Sequence, residues 1–146
     1  MYFVDMRKMN ETLDYFDQTL TLVKENKFES AIEHLALERI THLLIECILD
    51  VGNMMIDGFI MRDPGSYLDI IHILVDESVI PEKENSGYEV IIGLRKTLVQ
   101  DYKQIEHEQL LAVLNENIDI LKKFSTHIRT YLATEMGVAN TFTNDQ

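Results

Sequence analysis

Apolar residues near the start of the chain recur at alternating spacings of three and four positions. This spacing places them on one face of an α-helix that can pack into the core of a bundle. The other faces of the predicted helix carry charged residues, including Lys8, Glu11 and Lys24. The apolar stripe consists of Met6, Met9, Leu13, Phe16, Leu20 and Val23.

A second, longer helix is predicted from about Glu29 to about Gly58, with Ser30 or the preceding turn as its start and Gly58 as its stop. Its apolar residues cover a wider arc than one packing partner can bury. The helix therefore lies either at the centre of the bundle or against a second subunit. These apolar residues are Ile32, Leu35, Ile40, Leu43, Leu44, Cys47, Ile48, Val51, Met54 and Met55.

A short helix and a longer one are predicted in the middle of the chain. Ser66 and Asp69 have the spacing of a capping box, with the shorter aspartate in the position usually held by glutamate. They predict a short helix that runs to about Glu77. Pro81 separates it from a further helix, which is predicted over about 85–99.

The last helix is predicted from about Glu106 to Glu135. Because no segment shows the sustained alternation of a strand, the predicted fold class is all-α, an up-and-down four-helix bundle with an additional short helix. Residues 1–136 form a single domain in this interpretation, and residues 137–146 form a polar, frayed C-terminal tail. The core-facing residues of the last helix are Leu110, Leu114, Ile118, Leu121, Phe124, Ile128 and Leu132.

The chain is strongly acidic, with 13 Lys and Arg residues against 25 Asp and Glu residues and a formal net charge of −12. Long-range repulsion therefore argues against general nucleic-acid binding, DNA included. A local cationic groove stays open, because Arg95, Lys96 and Lys103 lie close together in the sequence. Taken alone, these charges would be interpreted as a solvated helix face.

Two features predict a cytoplasmic protein that does not enter a membrane. Asp5, Arg7 and Lys8 interrupt any apolar core of a signal peptide. The most hydrophobic stretch, residues 40–61, contains several ionisable side chains, too many for a bilayer-spanning helix.

The segment from Arg95 to Tyr102 carries the strongest functional signal. It resembles the Arg-x4-His-x-Tyr motif of the HepT-like ribonuclease toxins of the HEPN superfamily, with Gln100 in the histidine position. Two further segments support the resemblance and occur in the family's order. Residues 37–53 are similar to its first long core helix, and residues 63–67, Asp-Pro-Gly-Ser-Tyr, are similar to the link before its next helix.

The resemblance implies metal-independent RNA cleavage, which needs a base for the 2′-hydroxyl proton and a cation for the phosphate. Arg95 would be the phosphate ligand, because its guanidinium can donate two charge-assisted hydrogen bonds. Gln100 does not titrate in the working range, so cleavage is expected to be weak or lost. Asp101 is a polar neighbour at this site, and Lys96 departs from the small polar residue that usually follows the arginine.

Tyr102 is the predicted modification site. In HepT-like toxins the matching tyrosine receives AMP from a partner nucleotidyltransferase antitoxin, so the resemblance implies such a partner. If the helix continues as far as Tyr102, this side chain and Arg95 project towards the same side. The alternative is an aromatic ring that only packs beneath the helix end.

A line of polar residues steps by three or four positions along the second helix and therefore shares one face. One interpretation is a solvated strip, which is what most charged stripes are. The other is the wall of a groove beside the motif, because apolar residues flank the stripe on both sides. The stripe consists of Arg39, His42, Glu46, Asp50, Asn53 and Asp57.

The sequence indicates no metal site and no nucleotide cofactor. It lacks the Glu-x-x-His pairs of di-iron bundles, and the nearest match, Asp69 and His72, is typical of an ordinary helix start. It also lacks clustered cysteines, a P-loop and a G-x-G-x-x-G segment, and Cys47 is expected to pack in the core. Should cleavage prove strong and survive Gln100→Ala, His107 and His42 are the first candidates for the base.

The leading hypothesis is a HepT-like, toxin-type RNA endonuclease of a toxin–antitoxin pair, a homodimer in which two copies of the motif face each other across a groove. The alternative is a non-catalytic HEPN binding module that partners a nucleotidyltransferase. A plain structural bundle is the third interpretation. A nucleotidyltransferase gene beside this one would argue against it.

Overall fold

Seven α-helices make up most of residues 3–139, the part of the chain that the computed structural model describes, with side chains described as far as residue 136. All regular structure in this range is helical, which agrees with the predicted all-α fold class. A short 3₁₀ turn, Glu82–Glu84, precedes the fourth helix. The helices are α1 (Met6–Glu25), α2 (Ala31–Gly58), α3 (Tyr67–Asp76), α4 (Asn85–Val99), α5 (His107–Glu116), α6 (Ile118–Lys122) and α7 (Phe124–Ala139).

Helix α2 begins with a complete capping box. The backbone N–H of Glu33 donates to the hydroxyl of Ser30 at 3.2 Å, and the backbone N–H of Ser30 donates to the Glu33 carboxylate at 2.8 Å. Two of the backbone donors that a helix start leaves unpaired are satisfied in this way. The start predicted near Glu29 therefore lies two residues before Ala31, the first helical residue.

Helix α2 lies at the centre of the bundle, in contact with α1, α3, α4 and α5. This central position explains most of its wide apolar arc without a second subunit, because residues such as Leu44, Ile48 and Met55 are completely buried. Ile32 and Leu35 are the exceptions, with 80% and 64% of their surface exposed. Any support for a dimer from α2 therefore rests on its N-terminal end.

The single helix predicted from Glu106 to Glu135 is wrong, because the structure divides this stretch into α5, α6 and α7. The first break is at Asn117, whose backbone has φ −112° and ψ 9° and whose side-chain amide donates to the carbonyl of Val113. Gly87 of α4 packs against this break so closely that a Cβ atom there would lie 2.9 Å from Oδ1 of Asn117. A second, similar break occurs at Lys123.

The apolar residues predicted for this stretch are nevertheless all buried. Phe124 packs between Phe16 of α1 and Tyr88 of α4, with ring centroids 5.2 and 5.8 Å away. The Tyr88 hydroxyl donates to the carbonyl of Ile120, and burial raises the pKa of this phenol far above its ordinary value. Three helices thus meet at one aromatic cluster.

Two further predictions concern Cys47 and the C-terminus. Cys47 is buried as expected, and burial, aided by the nearby carboxylates of Asp50 and Glu46, raises the pKa of its thiol to about 11. Helix α7 extends to Ala139, so the first three residues of the predicted tail are helical. The rest of that tail, residues 140–146, lies outside the described residues. Within the described range, no helix combines the length and the apolar character needed to cross a membrane.

Candidate functional site

Arg95 of α4 is held by a carboxylate of α2. Its Nε–H donates to Oε1 of Glu46 at 3.0 Å, and the two side chains are 28% and 35% exposed. Among the described residues, none accepts a hydrogen bond from the two terminal nitrogens of Arg95. The guanidinium is therefore fixed along one edge, while its other donors are available to a ligand.

The ring of Tyr67 stacks against the same guanidinium. The Cζ atom of Arg95 lies 4.5 Å from the centroid of the Tyr67 ring, which is the geometry of a cation–π contact. Tyr67 is the first residue of α3, and half of its surface is exposed. Tyr67 was predicted in the family-like link but not at the site. The signal was an aromatic residue at a fixed place after the Pro-Gly turn.

The link before α3 is fixed by Asp69. Its carboxylate accepts hydrogen bonds from Arg62 at 2.8 Å and from the backbone N–H of Gly65 at 2.8 Å, and these lower the pKa of Asp69 to about 2. The hydroxyl of Ser66 accepts from the backbone N–H of Asp69, so only half of the predicted capping box forms. The hydrogen bonds from Arg62 and Gly65 to Asp69 fix the start of α3, and Tyr67 is the first residue of that helix.

His42 belongs to the same cluster. Its Nε2 lies 3.0 Å from Oε1 of Glu46, the same oxygen that accepts the hydrogen bond from Arg95. Beside it is an open cavity of about 190 Å³, which is lined by Leu35, Glu38, Arg39, His42 and Leu98. The structure thus joins two residues of the predicted polar stripe, His42 and Glu46, to the motif arginine, with Arg39 at the cavity.

The remaining residues of the stripe do not join this cluster. Asp50, Asn53 and Asp57 are exposed further along α2, and no hydrogen bond connects their side chains to Arg95 in the described part of the chain. For these three residues the structure agrees with the alternative interpretation, a solvated strip. Lys96 is also exposed, on the turn of α4 beside Arg95.

The segment from Gln100 to Tyr102 lies beyond the end of α4. The helix ends at Val99, and the backbone N–H groups of Gln100 and Asp101 both donate to the carbonyl of Lys96, at 2.8 and 3.3 Å. Because α4 stops before Tyr102, Arg95 and Tyr102 do not lie on one continuous helix face, as they would if the helix reached Tyr102. All three side chains of the segment are exposed, and Tyr102 is 58% exposed rather than packed beneath the helix.

The other described histidines are paired outside this cluster. His107 lies 2.6 Å from Glu38 and stacks on His34 with ring centroids 4.2 Å apart, and His127 lies 3.0 Å from the buried carboxylate of Glu84. His72 contacts Glu89 and lies 3.7 Å from Asp69. Asp69 and His72 are thus part of an ion-pair network around Arg62. Among the described residues, no group of three or more His, Cys, Asp or Glu side chains could hold a metal ion.

A sequence profile of the family described as Ribonuclease HepT-like matches residues 9–128. The chain belongs to this family. The HepT-like chain is 50% identical over 143 residues to YutE of Bacillus subtilis (strain 168), a protein named as a candidate RNase, and the match covers 97% of this chain and 99% of YutE. The resemblance to the HepT-like family that the motif indicated is therefore confirmed.

Solved structures extend the comparison of this HepT-like protein to its fold. The structure of YutE, described as a cytosolic protein of unknown function, superposes with a TM-score of 0.91 at 51% identity and covers 94% of this chain and 96% of that one. Two others have TM-scores of 0.72 and cover 86% of this chain. One, at 15% identity and 97% of its own length, is a toxin–antitoxin structure with AMP-PNP. The other, at 16% identity and 96% of its own length, is a tri-AMPylated Shewanella oneidensis HEPN toxin in complex with MNT antitoxin. The two distant matches show a shared fold, the HEPN-like helical fold that was predicted.

Proposed function

We propose that this HepT-like protein is a metal-independent RNA endonuclease of the toxin–antitoxin type and that Arg95 binds the scissile phosphate. The observation that carries the proposal is the state of Arg95, which is fixed at Nε by Glu46 and stacked on Tyr67 with its terminal nitrogens unpaired among the described residues. A guanidinium prepared in this way can donate two hydrogen bonds to a phosphate as negative charge builds up on it.

Cleavage by this protein is slow in our proposal, because Gln100 occupies the position of the family's histidine and any base must act from outside the motif. Loss of a positioned general base typically lowers a rate by about 10²–10⁴-fold. The exposed Gln100 and Asp101 side chains can still contribute hydrogen bonds to RNA, but an amide does not accept a proton near neutral pH.

A homodimer would bring two copies of the motif to a common groove. Support comes from exposed apolar side chains next to the site: Leu35, which lines the cavity beside His42, is 64% exposed, and Ile32 is 80% exposed one turn earlier on α2. Val99, at the end of α4 just before the Gln100 segment, is 42% exposed. Burial of such side chains favours association.

A nucleotidyltransferase antitoxin is the proposed partner, and Tyr102 is the residue it would modify with AMP. The exposed phenol of Tyr102 supports this assignment, because a transferase needs access to the attacking hydroxyl. AMPylation of the distantly related Shewanella toxin, which is bound to an MNT antitoxin, makes the same chemistry reasonable here. A phosphate added at Tyr102 would place negative charge where an RNA backbone must pass.

The alternative function is a non-catalytic module that binds a nucleotidyltransferase. Two observations favour it: the family's base is replaced by Gln100, and the formal net charge of −12 repels RNA. The two functions differ in whether the isolated protein cleaves RNA at all.

The test is a cleavage assay on single-stranded RNA in the presence of EDTA, with the wild type and Arg95→Gln compared at equal concentration. Arg129→Gln is the matched control, since Arg129 also pairs with a carboxylate, that of Asp14 at 2.9 Å, but on the α7 and α1 side of the molecule. We expect slow cleavage by the wild type and the control, and none by Arg95→Gln. Wild-type protein that never cleaves RNA but binds a nucleotidyltransferase would establish the binding module instead.

A further inference from the structure

We propose that His42 supplies the general base that the motif lacks. This assignment rests on the proposed ribonuclease function, and it identifies the residue that removes the 2′-hydroxyl proton in the absence of the motif histidine. His42 lies on α2, outside the motif segment, and reaches the site through the fold rather than through sequence spacing.

The geometry links His42 directly to the phosphate ligand. Nε2 of His42 and Nε of Arg95 each lie 3.0 Å from Oε1 of Glu46, so these two nitrogens are separated by at most twice that distance. One carboxylate thus orients both the basic imidazole and the guanidinium. A base and a phosphate ligand held by a shared third group form the arrangement that an activated hydroxyl nucleophile needs.

The contact with Glu46 also determines which ring nitrogen of His42 is free. An ionised carboxylate only accepts hydrogen bonds, so Nε2 carries the proton in the neutral ring and Nδ1 keeps its lone pair. Among the described residues, none bonds to Nδ1. The His42 side chain is 29% exposed and lines the open cavity of about 190 Å³, where part of a nucleotide can enter.

The proposed step is a transesterification within one RNA strand. Nδ1 of His42 takes the proton of the 2′-hydroxyl while the 2′-oxygen forms a bond to phosphorus. The bond from phosphorus to the 5′-oxygen breaks, and that oxygen takes a proton from water. The products are a 2′,3′-cyclic phosphate and a 5′-hydroxyl. The imidazolium then gives its proton to the hydroxide that remains, so protons and charge balance.

Arg95 and Glu46 stabilise the two charges that develop in this step. The terminal nitrogens of Arg95 donate to the non-bridging oxygens of the phosphate, and Glu46 stabilises the imidazolium that forms on His42. Glu38 and Arg39 of α2 are charged residues that line the same cavity as His42, and Glu38 is itself paired with His107 of α5 at 2.6 Å. Glu46 is therefore the positioning residue for this base.

His107 is the rival candidate, and its contacts argue against it. Its imidazole is paired with Glu38 and stacked on His34, and among the described residues no hydrogen bond or ion pair joins it to Glu46 or Arg95. His107 does provide a matched control, because it is also a partly buried histidine that meets a carboxylate of α2.

The experiment compares wild type, His42→Gln and His107→Gln in the RNA cleavage assay, with circular dichroism and thermal melting to confirm folding. Glutamine keeps an N–H for the carboxylate but does not titrate. We expect the cleavage rate to fall by about 10²-fold or more in His42→Gln and to change by only about a few-fold in His107→Gln. Cleavage that survives in His42→Gln but disappears in Arg95→Gln would overturn the assignment to His42 and leave the proposed function standing. No cleavage by any form of the protein would overturn both.

Chemical rescue separates proton transfer from a structural role. His42→Ala should regain cleavage when imidazole is added, and loss without any rescue would overturn the role as a base. In Glu46→Gln the rate should fall, because a neutral amide does not stabilise the imidazolium that forms during the step, and Glu46→Asp, which keeps the charge, should retain more of the rate. Equal rates in Glu46→Gln and Glu46→Asp would contradict the coupling of Glu46 to the base.

Discussion

Arg95 and Glu46 lie 49 positions apart in the chain, and the Nε–H of Arg95 donates to Oε1 of Glu46 at 3.0 Å across the contact between α4 and α2. With side chains 28% and 35% exposed, such a pair contributes at most about 1 kcal/mol to stability. Its importance therefore lies in orientation. The bond fixes the inner edge of the guanidinium and turns a flexible arginine into a rigid anion ligand.

Restoring the family's histidine with Gln100→His should raise the rate of RNA cleavage by about tenfold or more, because an imidazole returns to the position of the motif base. The measurement is the initial rate on a labelled single-stranded RNA. Gln104→His is the matched control, since Gln104 is also exposed and lies just past α4. If Gln100→His is no faster than this control while Arg95→Gln is inactive, position 100 lies outside the reacting centre.

Acid should lower the free energy of unfolding through Asp69, which fixes the link before α3. The pKa of this carboxyl falls from 3.8 to about 2 because Arg62 and the Gly65 N–H stabilise its charge. A depressed pKa in the folded state means that the ionised carboxylate stabilises the fold above about pH 4, and that this contribution is lost as the pH falls towards 2. Urea unfolding from neutral pH to about pH 2 should show the difference between wild type and Asp69→Asn shrinking over this window. A constant difference would contradict the assignment.

The sequence predicted which residues face the core better than where the helices break. The stripe through Leu114, Ile118 and Leu121 keeps helical spacing across Asn117, so periodicity alone cannot reveal the interruption. The break depends on the side-chain bond from Asn117 to Val113 and on the close approach of Gly87. Both are properties of the folded chain, and only the asparagine itself gave a local hint.

For the candidate site, the sequence likewise predicted several of the residues but not the contacts between them. The motif identified Arg95, and the polar stripe on α2 included both His42 and Glu46. Which stripe residue meets Arg95 depends on the packing of α2 against α4, and spacing along one helix carries no information on that. Tyr67 was missed for the same reason, since its ring reaches Arg95 only because the link before α3 folds back on Asp69.

Tyr102 should acquire AMP when the protein is co-expressed with a nucleotidyltransferase encoded beside it. The phenol is 58% exposed beyond the end of α4, so a transferase can reach it without unfolding the bundle. Mass spectrometry should place the added mass on the peptide containing Tyr102, and Tyr102→Phe should abolish it. Tyr15, which is 46% exposed on α1, is the internal control and should stay unmodified. Labelling of Tyr15 to the same extent would indicate non-specific transfer and remove Tyr102 as the partner's target.

The protein should form a homodimer in solution through the surface that carries Leu35. A stable interface buries on the order of 1,000 Å² or more, and a charge placed at its apolar centre leaves that charge unpaired and desolvated. Leu35→Glu should therefore be monomeric in sedimentation velocity at micromolar concentration, whereas the wild type is dimeric. Leu22→Glu is the matched control, because Leu22 is also an exposed leucine, 41% exposed on α1, and its replacement should leave the dimer intact. A monomeric wild type would remove the shared groove, and the Arg95, Glu46 and His42 cluster would then have to act within a single chain.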